Sequence, residues 1–302
     1  MLLKVANLKI SASLLRGESD VLRGADFCVR SGEPLAIIGE SGSGKTMLAL
    51  SLLGLLPENC HATGSAVLCD DESATDNGAD MITTTEREKN AMRGRELIYI
   101  PQSGAEYLSP ALKVKTQLYE SLKKLGIKAK TELEDYALDM LGKAGLSDAS
   151  VLEKYPYQLS GGQAQRVTFA MSLSPRAKLV IADEPTNGID GETAKIIERG
   201  LFGYFADVCL IVITHSLELA KKCSQVLVLN GGEVVEYGAA EKVLTAPECE
   251  YTRELISCMP DSCSPDPYAS DSRMPNSCMP NSFKSESCAS DPGASSSEAD
   301  YA

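Results

Sequence analysis

A glycine-rich segment in the first fifth of the chain has the residue types and spacing to hold phosphate groups. It fits the pattern GxxxxGK[ST] and consists of Gly39, Glu40, Ser41, Gly42, Ser43, Gly44, Lys45 and Thr46. Glycines let backbone N–H groups wrap around phosphate oxygens, and a following helix adds partial positive charge at its N-terminus. We expect Lys45 to reach the β- and γ-phosphates of ATP and the Thr46 hydroxyl to bind Mg²⁺.

Two adjacent carboxylates, Asp183 and Glu184, follow an apolar run at 179–182 that predicts a buried strand. Beside a bound nucleotide, Asp183 is expected to hold Mg²⁺, either directly or through water. Glu184 is expected to polarise the attacking water as a general base. Together with the phosphate loop, this pair predicts ATP hydrolysis.

A third segment, LSGGQ at 159–163, lies between the phosphate loop and the acidic strand. Gly161 and Gly162 leave the backbone free to cap a γ-phosphate, with Ser160, at a helix N-terminus. A generic phosphate-loop enzyme has no use for this segment, which resembles the signature sequence of ABC ATPases. That resemblance implies that the segment, Gln163 included, binds the nucleotide of a second subunit. The ATP site is then shared across a head-to-tail dimer.

Three further residues take their roles from this resemblance alone. Gln102 follows the strand-like run at 97–100 and matches the Q-loop glutamine, a catalytic and Mg²⁺-sensing residue. Asp190 is the acid of NGID and stands where the D-loop belongs, although the family more commonly has SALD there. His215 follows another apolar run and matches the switch histidine, a catalytic residue that contacts the γ-phosphate.

More specific likenesses point to one group within the family. The loop GESGSGKT, the segment 93–102, YLSP at 107–110 and YPYQLSGG at 155–162 resemble importers of dipeptides, oligopeptides and nickel. The resemblance covers roughly residues 3–256. It implies an ATP-binding and hydrolysing subunit that powers uptake of peptides, or of nickel and other metal chelates, and the choice between these cargoes stays open.

The same resemblance implies the partners and the location. The chain is expected to work with separate membrane-spanning permeases, with a second ABC ATPase subunit (the same or a related one) and, indirectly, with an extracytoplasmic substrate-binding protein. It would then be peripheral, on the cytoplasmic face of the cell membrane. The segment 102–110 is expected to line the groove that accepts a permease helix, with Tyr107 and Leu108 at the contact.

The elements that must position these residues follow from short apolar runs. Runs at 35–38, 210–213 and 226–229, with helical stretches between several of them, predict a largely parallel sheet. The expected fold is α/β: a P-loop NTPase core of the ABC ATPase type at 1–258, with a small N-terminal β-subdomain and an inserted helical subdomain at about 103–175. One predicted helix carries a core-facing stripe, which consists of Leu133, Ala137, Leu138 and Leu141.

The adenine contact departs from the family pattern. Family members usually stack the base on an aromatic residue of the first strand region, and here that place is near Ala12 or Ser13. With no aromatic side chain present, either ATP affinity is weaker or an aliphatic side chain supports the base.

The last residues, 259–302, are rich in Ser, Pro, Asp, Asn and Cys and predict a disordered tail. Cys258, Cys263, Cys278 and Cys288 are enough thiols for an iron–sulfur cluster, but they lack the residues that surround such a site in peptide-type relatives. We therefore expect no cluster.

Composition excludes other classes. The net charge of −13 argues against nucleic acid as the main partner, and no apolar run approaches the roughly 20 residues that span a bilayer. A soluble ABC ATPase of DNA repair or translation usually has two cassettes or a long coiled coil. The presence of all of Lys45, Asp183, Glu184 and His215 argues against a module that no longer hydrolyses ATP.

Overall fold

The computed structural model describes residues 1–14, 17–70 and 78–259. The chain divides into two units, Met1–Cys263 and Ser264–Ala302, and the described residues all belong to the first. The predicted disorder of the tail beyond residue 259, and three of the four cysteines considered for a cluster, lie outside the described residues.

The strands of the described residues form one sheet in the order β5-β4-β1-β2-β10-β9-β3-β8-β7-β6. Their bounds are β1 Leu2–Leu14, β2 Gly17–Arg30, β3 Leu35–Ile38, β4 Cys60–Cys69, β5 Ala79–Asp80, β6 Leu97–Ile100, β7 Leu179–Asp183, β8 Cys209–Ile213, β9 Gln225–Asn230 and β10 Glu233–Ala239.

The half of the sheet that carries the chemistry is parallel. Strand β3 pairs in parallel with β8 and β9, and β7 pairs in parallel with β6 and β8. Every residue of β3, β7 and β8 is buried, because helices cover both faces of a parallel sheet and leave no polar side. Parallel strands end at the same edge, so the residues that follow β3, β7 and β8 come together there.

The other half is antiparallel and begins the chain. Strand β1 pairs with β2 and β4, and β4 pairs with the short β5. This part is the small N-terminal β-subdomain that was predicted, and with the parallel core it confirms the α/β class.

Helices connect the strands and cover them. Their bounds are α1 Lys45–Leu52, α2 Glu86–Met92, α3 Gly104–Tyr107, α4 Val114–Lys124, α5 Lys130–Lys143, α6 Gly161–Ser172, α7 Gly191–Tyr204, α8 Leu217–Lys221, α9 Ala240–Thr245 and α10 Glu250–Cys258. Two short 3₁₀ turns, Ala149–Glu153 and Pro156–Gln158, precede α6. None of the helices in the described ranges has the length and hydropathy to cross a membrane.

The segment between β6 and β7 is helical, with α3 to α6 following one another. The predicted stripe on α5 was wrong at one position, because Leu138 is 37% exposed whereas Met140 is buried. Each helical residue turns about 100° from the one before it, so Leu138 leaves the face that Ala137 and Leu141 share. Met140 lies on that face and packs into the core.

Candidate functional site

The parallel strand ends surround a cavity of about 420 Å³. Nine of the residues singled out in the sequence line it, namely Ser41, Gly42, Gly44, Lys45, Thr46, Gln102, Asp183, Glu184 and His215. Segments as far apart in the chain as the phosphate loop and β8 therefore contribute to one site.

Two glycines of the phosphate loop have backbone conformations that other residues rarely adopt. Gly39 has φ +151°, and a Cβ built there would lie 2.1 Å from the Leu229 carbonyl oxygen. Gly44 has φ +102° and starts α1, and its Cβ would lie 2.9 Å from the carbonyl oxygen of Val21. Only glycine allows the loop to pass so close to β2 and β9.

The Lys45 ammonium points back into the loop. Its Nζ donates to the carbonyl oxygens of Gly39, at 2.8 Å, and Glu40, at 2.7 Å. Burial lowers the Lys45 pKa, while the Glu184 and Asp183 carboxylates oppose that shift. The side chain is thus a buried cation held by the loop that is expected to wrap the phosphates.

Asp183 ends β7 and is almost fully buried. The phenol of Tyr99, on the neighbouring strand β6, donates to its Oδ2 at 3.1 Å. Asp183 also lines the cavity. Thr46 lines the same cavity, so hydroxyl and carboxylate oxygens are available together.

Glu184 has an unusual backbone and an unusual proton affinity. Its φ is +47°, a left-handed conformation that costs a non-glycine residue energy and often marks functional sites. Burial raises the pKa of its carboxyl to about 7. A carboxylate with such a pKa can both accept and release a proton near neutral pH.

His215 holds this carboxylate in place. Its backbone N–H donates to Glu184 Oε2 at 3.2 Å, and its Nε2 lies 3.0 Å from Oε1. Glu184 Oε1 is buried and has no aligned hydrogen-bond donor within the described residues. Burial, followed by the Lys45 charge, lowers the His215 pKa, so the imidazole is neutral at physiological pH.

A second cavity of about 520 Å³ adjoins the first. The two share Thr46, Gln102 and Asp183, so Gln102 lies where they meet. Of the signature segment, Gly161 lines this second cavity, and no residue of 159–163 lines the first.

The rest of the signature segment starts helix α6. Ser160 Oγ accepts from the Gln163 N–H at 3.2 Å, and Gln163 Oε1 accepts from the Ser160 N–H at 3.1 Å. This reciprocal pair is a capping box, which gives Gln163 a structural task. Asp190 caps α7 in a similar way, and backbone hydrogen bonding from Thr193 lowers its pKa.

Three residues of the site were not foreseen from the sequence. Tyr99 was placed on a strand, but a strand of four apolar residues does not show which side chain faces the carboxylates. Asn187 lines both cavities. Val21 lines the first cavity, whereas Ala12 and Ser13 do not, and the adenine contact near Ala12 or Ser13 stays a prediction.

Comparisons with known proteins agree on one family. The family model described as ABC transporter matches residues 22–187. The ATP-binding protein CntD of the metal-staphylopine import system of Staphylococcus aureus is 33% identical over 77% of this chain and 84% of that protein. The oligopeptide transport ATP-binding protein OppD of Salmonella typhimurium is 35% identical over 86% of this chain and 76% of its own length.

Two further matches complete the comparison. The dipeptide transport ATP-binding protein DppD of Escherichia coli is 36% identical over 81% of this chain and 75% of its own length. Among solved structures, the dimeric post-hydrolysis state of the ATP-binding cassette MJ0796 bound to ADP and Pi has a TM-score of 0.68. That match is 24% identical, covers 79% of this chain and 98% of the other, and supports the cassette fold.

Proposed function

This chain belongs to the ABC transporter family, and we propose that it binds and hydrolyses ATP to power an importer of peptides or of nickel and other metal chelates. The observation that supports this best is the meeting of Lys45, Asp183, Glu184 and His215 around one cavity. A nucleotide-binding module without hydrolysis would need the Lys45 cation. It would not need the Glu184 carboxylate, which the strained backbone at that residue positions.

The phosphate loop is proposed to hold the β- and γ-phosphates, with Lys45 as their main cationic partner. Mg²⁺ fits the donors present, because the Thr46 hydroxyl, the Asp183 carboxylate and the Gln102 amide oxygen are the hard oxygen ligands that it prefers. When bound there, the ion neutralises charge on the phosphates.

Hydrolysis is proposed to depend on Glu184. Its carboxylate accepts a proton from the water that attacks the γ-phosphate, while the His215 backbone N–H fixes the orientation of the carboxylate. The neutral imidazole of His215 is also available to donate a hydrogen bond to a γ-phosphate oxygen.

The signature segment is proposed to act on a second copy or a related subunit. Ser160 and Gly162 do not line the phosphate-loop cavity of their own chain, although they start a helix whose N-terminus suits an anion. A head-to-tail dimer would let this helix N-terminus cap the partner's γ-phosphate. The cassette MJ0796, which shares the fold, is described as dimeric.

The permeases are proposed to dock beside β6 and α3. An apolar cavity of about 260 Å³ lies there, and the exposed apolar side chains around it are Leu55 and Tyr107, with Leu112 at an adjoining cavity. Leu108 also lines this cavity, but it is 3% exposed and belongs to the core, so its share in the contact stays a prediction. An extracytoplasmic binding protein would act through the permeases, and the chain would lie at the cytoplasmic membrane face.

The relatives' names include oligopeptide, dipeptide and metal-staphylopine transport, so both cargo classes, peptides and metal chelates, stay open. A direct test combines the purified subunit with its cognate permeases in liposomes and supplies ATP inside. Uptake of labelled peptides or of a nickel chelate, lost in the Lys45→Ala variant, would support the proposal. ATP hydrolysis that neither cargo nor permeases alter would contradict the importer role.

A further inference from the structure

The C-terminal helix of the described chain touches the phosphate loop. The Tyr251 hydroxyl, on α10, accepts a hydrogen bond from the Glu40 N–H at 3.2 Å. The two residues are 211 positions apart, so no local sequence pattern connects them.

The hydrogen-bonded N–H belongs to the same peptide group that holds the lysine. The carbonyl of that group is Gly39 C=O, which accepts from Lys45 Nζ at 2.8 Å. In a planar trans peptide the N–H and the C=O point in opposite directions. Rotation of this plane that released Tyr251 would therefore also turn the carbonyl away from Lys45.

The peptide needs an external restraint because of the residue beside it. Gly39 must be glycine, since a Cβ would clash with the Leu229 carbonyl. Glycine has the least restricted backbone of all residues, so the peptide that follows it rotates more easily than others. Among the described residues, Tyr251 is the partner of the Glu40 N–H.

Helix α10 gives the hydroxyl a firm support. The Glu236 carboxylate, on β10, accepts from the backbone N–H groups of Glu248, at 3.0 Å, and Cys249, at 3.2 Å, where the helix begins. Thr252 is fully buried, and the Tyr251 ring packs on the main hydrophobic core. The position of the hydroxyl is thus determined by the sheet and not by the loop.

We propose that Tyr251 is a positioning residue for ATP binding: its hydroxyl orients the Gly39–Glu40 peptide so that the carbonyl holds Lys45 at the phosphate site. This inference rests on the proposed role of Lys45. It extends the nucleotide site to a helix that no phosphate-binding motif includes.

A double-mutant cycle tests whether Tyr251 acts on ATP binding through Lys45. The affinity for a fluorescent ATP analogue with Mg²⁺ is measured for the wild type, Tyr251→Phe, Lys45→Ala and the double variant. Tyr251→Phe keeps the ring in the core and removes the hydroxyl alone. Tyr136→Phe, on the exposed side of α5, is the matched control for loss of a tyrosine hydroxyl.

We expect Tyr251→Phe to weaken binding about three- to tenfold, as for loss of one hydrogen bond, while Tyr136→Phe has no effect. In the Lys45→Ala background the same change should cause less than about twofold further loss, because the carbonyl no longer has a lysine to hold. Equal losses in both backgrounds, or no loss in the single variant, would overturn the inference. Normal binding by Lys45→Ala would instead overturn the proposed phosphate site.

Discussion

Tyr99 donates its phenol hydrogen to Asp183 Oδ2 at 3.1 Å, across the parallel pair formed by β6 and β7. Burial, with the Asp183 carboxylate next, raises the Tyr99 pKa far above its ordinary value, so the phenol remains a donor at any physiological pH. The ring also makes an edge contact with Tyr107, at 6.2 Å between centroids. The carboxylate proposed to hold Mg²⁺ is therefore oriented by a residue that touches the proposed docking groove.

Tyr99→Phe tests this orientation. Partners of a metal-binding carboxylate commonly contribute tenfold or more to metal affinity, so we expect the Mg²⁺ concentration for half-maximal ATPase activity to rise about tenfold. Binding of ATP without Mg²⁺ should stay near the wild-type value, since Tyr99 does not line the phosphate-loop cavity. An unchanged Mg²⁺ requirement would show that Asp183 is held adequately by its strand.

Lys45→Ala tests the phosphate loop itself. Removal of the buried ammonium takes away the main positive charge for the β- and γ-phosphates, so ATPase activity should be abolished and nucleotide binding greatly weakened. Lys123→Ala, an exposed position on α4, is the control for loss of a lysine. Near-normal hydrolysis by the purified Lys45→Ala protein would contradict the assignment.

Glu184→Gln tests the base. The amide keeps the shape and the hydrogen bond from the His215 backbone but cannot accept a proton, so hydrolysis should fall by about a hundredfold or more while ATP binding persists. The variant should also accumulate as an ATP-bound dimer, which light scattering detects. Hydrolysis at more than about a tenth of the wild-type rate would assign the base to another residue.

The same substitution has a predicted effect on stability, in buffer without nucleotide or Mg²⁺. The folded-state pKa of Glu184 is raised from 4.5 to about 7, so the folded state holds this proton more tightly than the unfolded chain does. Stability from this group is full below the unfolded pKa and is lost as the pH rises towards 7. Above that pH the ionised, buried carboxylate costs on the order of 3 kcal/mol.

Glutamine does not ionise and avoids that cost. The melting temperature of Glu184→Gln should therefore exceed the wild-type value by several degrees at pH 8, and the gap should close as the pH falls to about 4.5. Calorimetry across this range makes the measurement. A gap that is independent of pH would mean that the carboxyl titrates normally in the folded protein.

The features that could be predicted from the sequence are those formed by residues adjacent in the chain. The runs that became β3 and β7 were recognisable because both faces of a parallel strand are apolar, and the phosphate loop is contiguous. The contacts Tyr99–Asp183 and Tyr251–Glu40 could not be predicted, since each depends on strand register or on the path of distant segments. The burial of Leu108 could not be predicted, because an irregular segment has no periodicity that shows which side chains are buried.

Tyr107→Asp tests the proposed permease-docking surface, which is the apolar cavity beside β6 and α3. Tyr107 is 58% exposed at the mouth of an apolar cavity, while its neighbour Leu108 is buried and would unfold the protein if charged. A single aspartate at Tyr107 places one negative charge in a contact expected to be partly apolar. Assembly with the permeases and cargo uptake should fall at least tenfold.

The isolated subunit separates docking from chemistry. Tyr107 contacts Tyr99 through its ring edge and a side-chain hydrogen bond but does not line the phosphate-loop cavity. Tyr107→Asp should therefore retain ATPase activity within about twofold of the wild type when no permease is present. Tyr136→Asp places the same charge on α5, at a side chain of similar exposure outside the groove, and should leave both assembly and uptake unchanged. If Tyr107→Asp abolishes the activity of the folded subunit alone, Tyr107 serves the nucleotide site. If it transports normally, the permease contacts another surface, because a charge in the middle of a partly apolar interface cannot be neutral there.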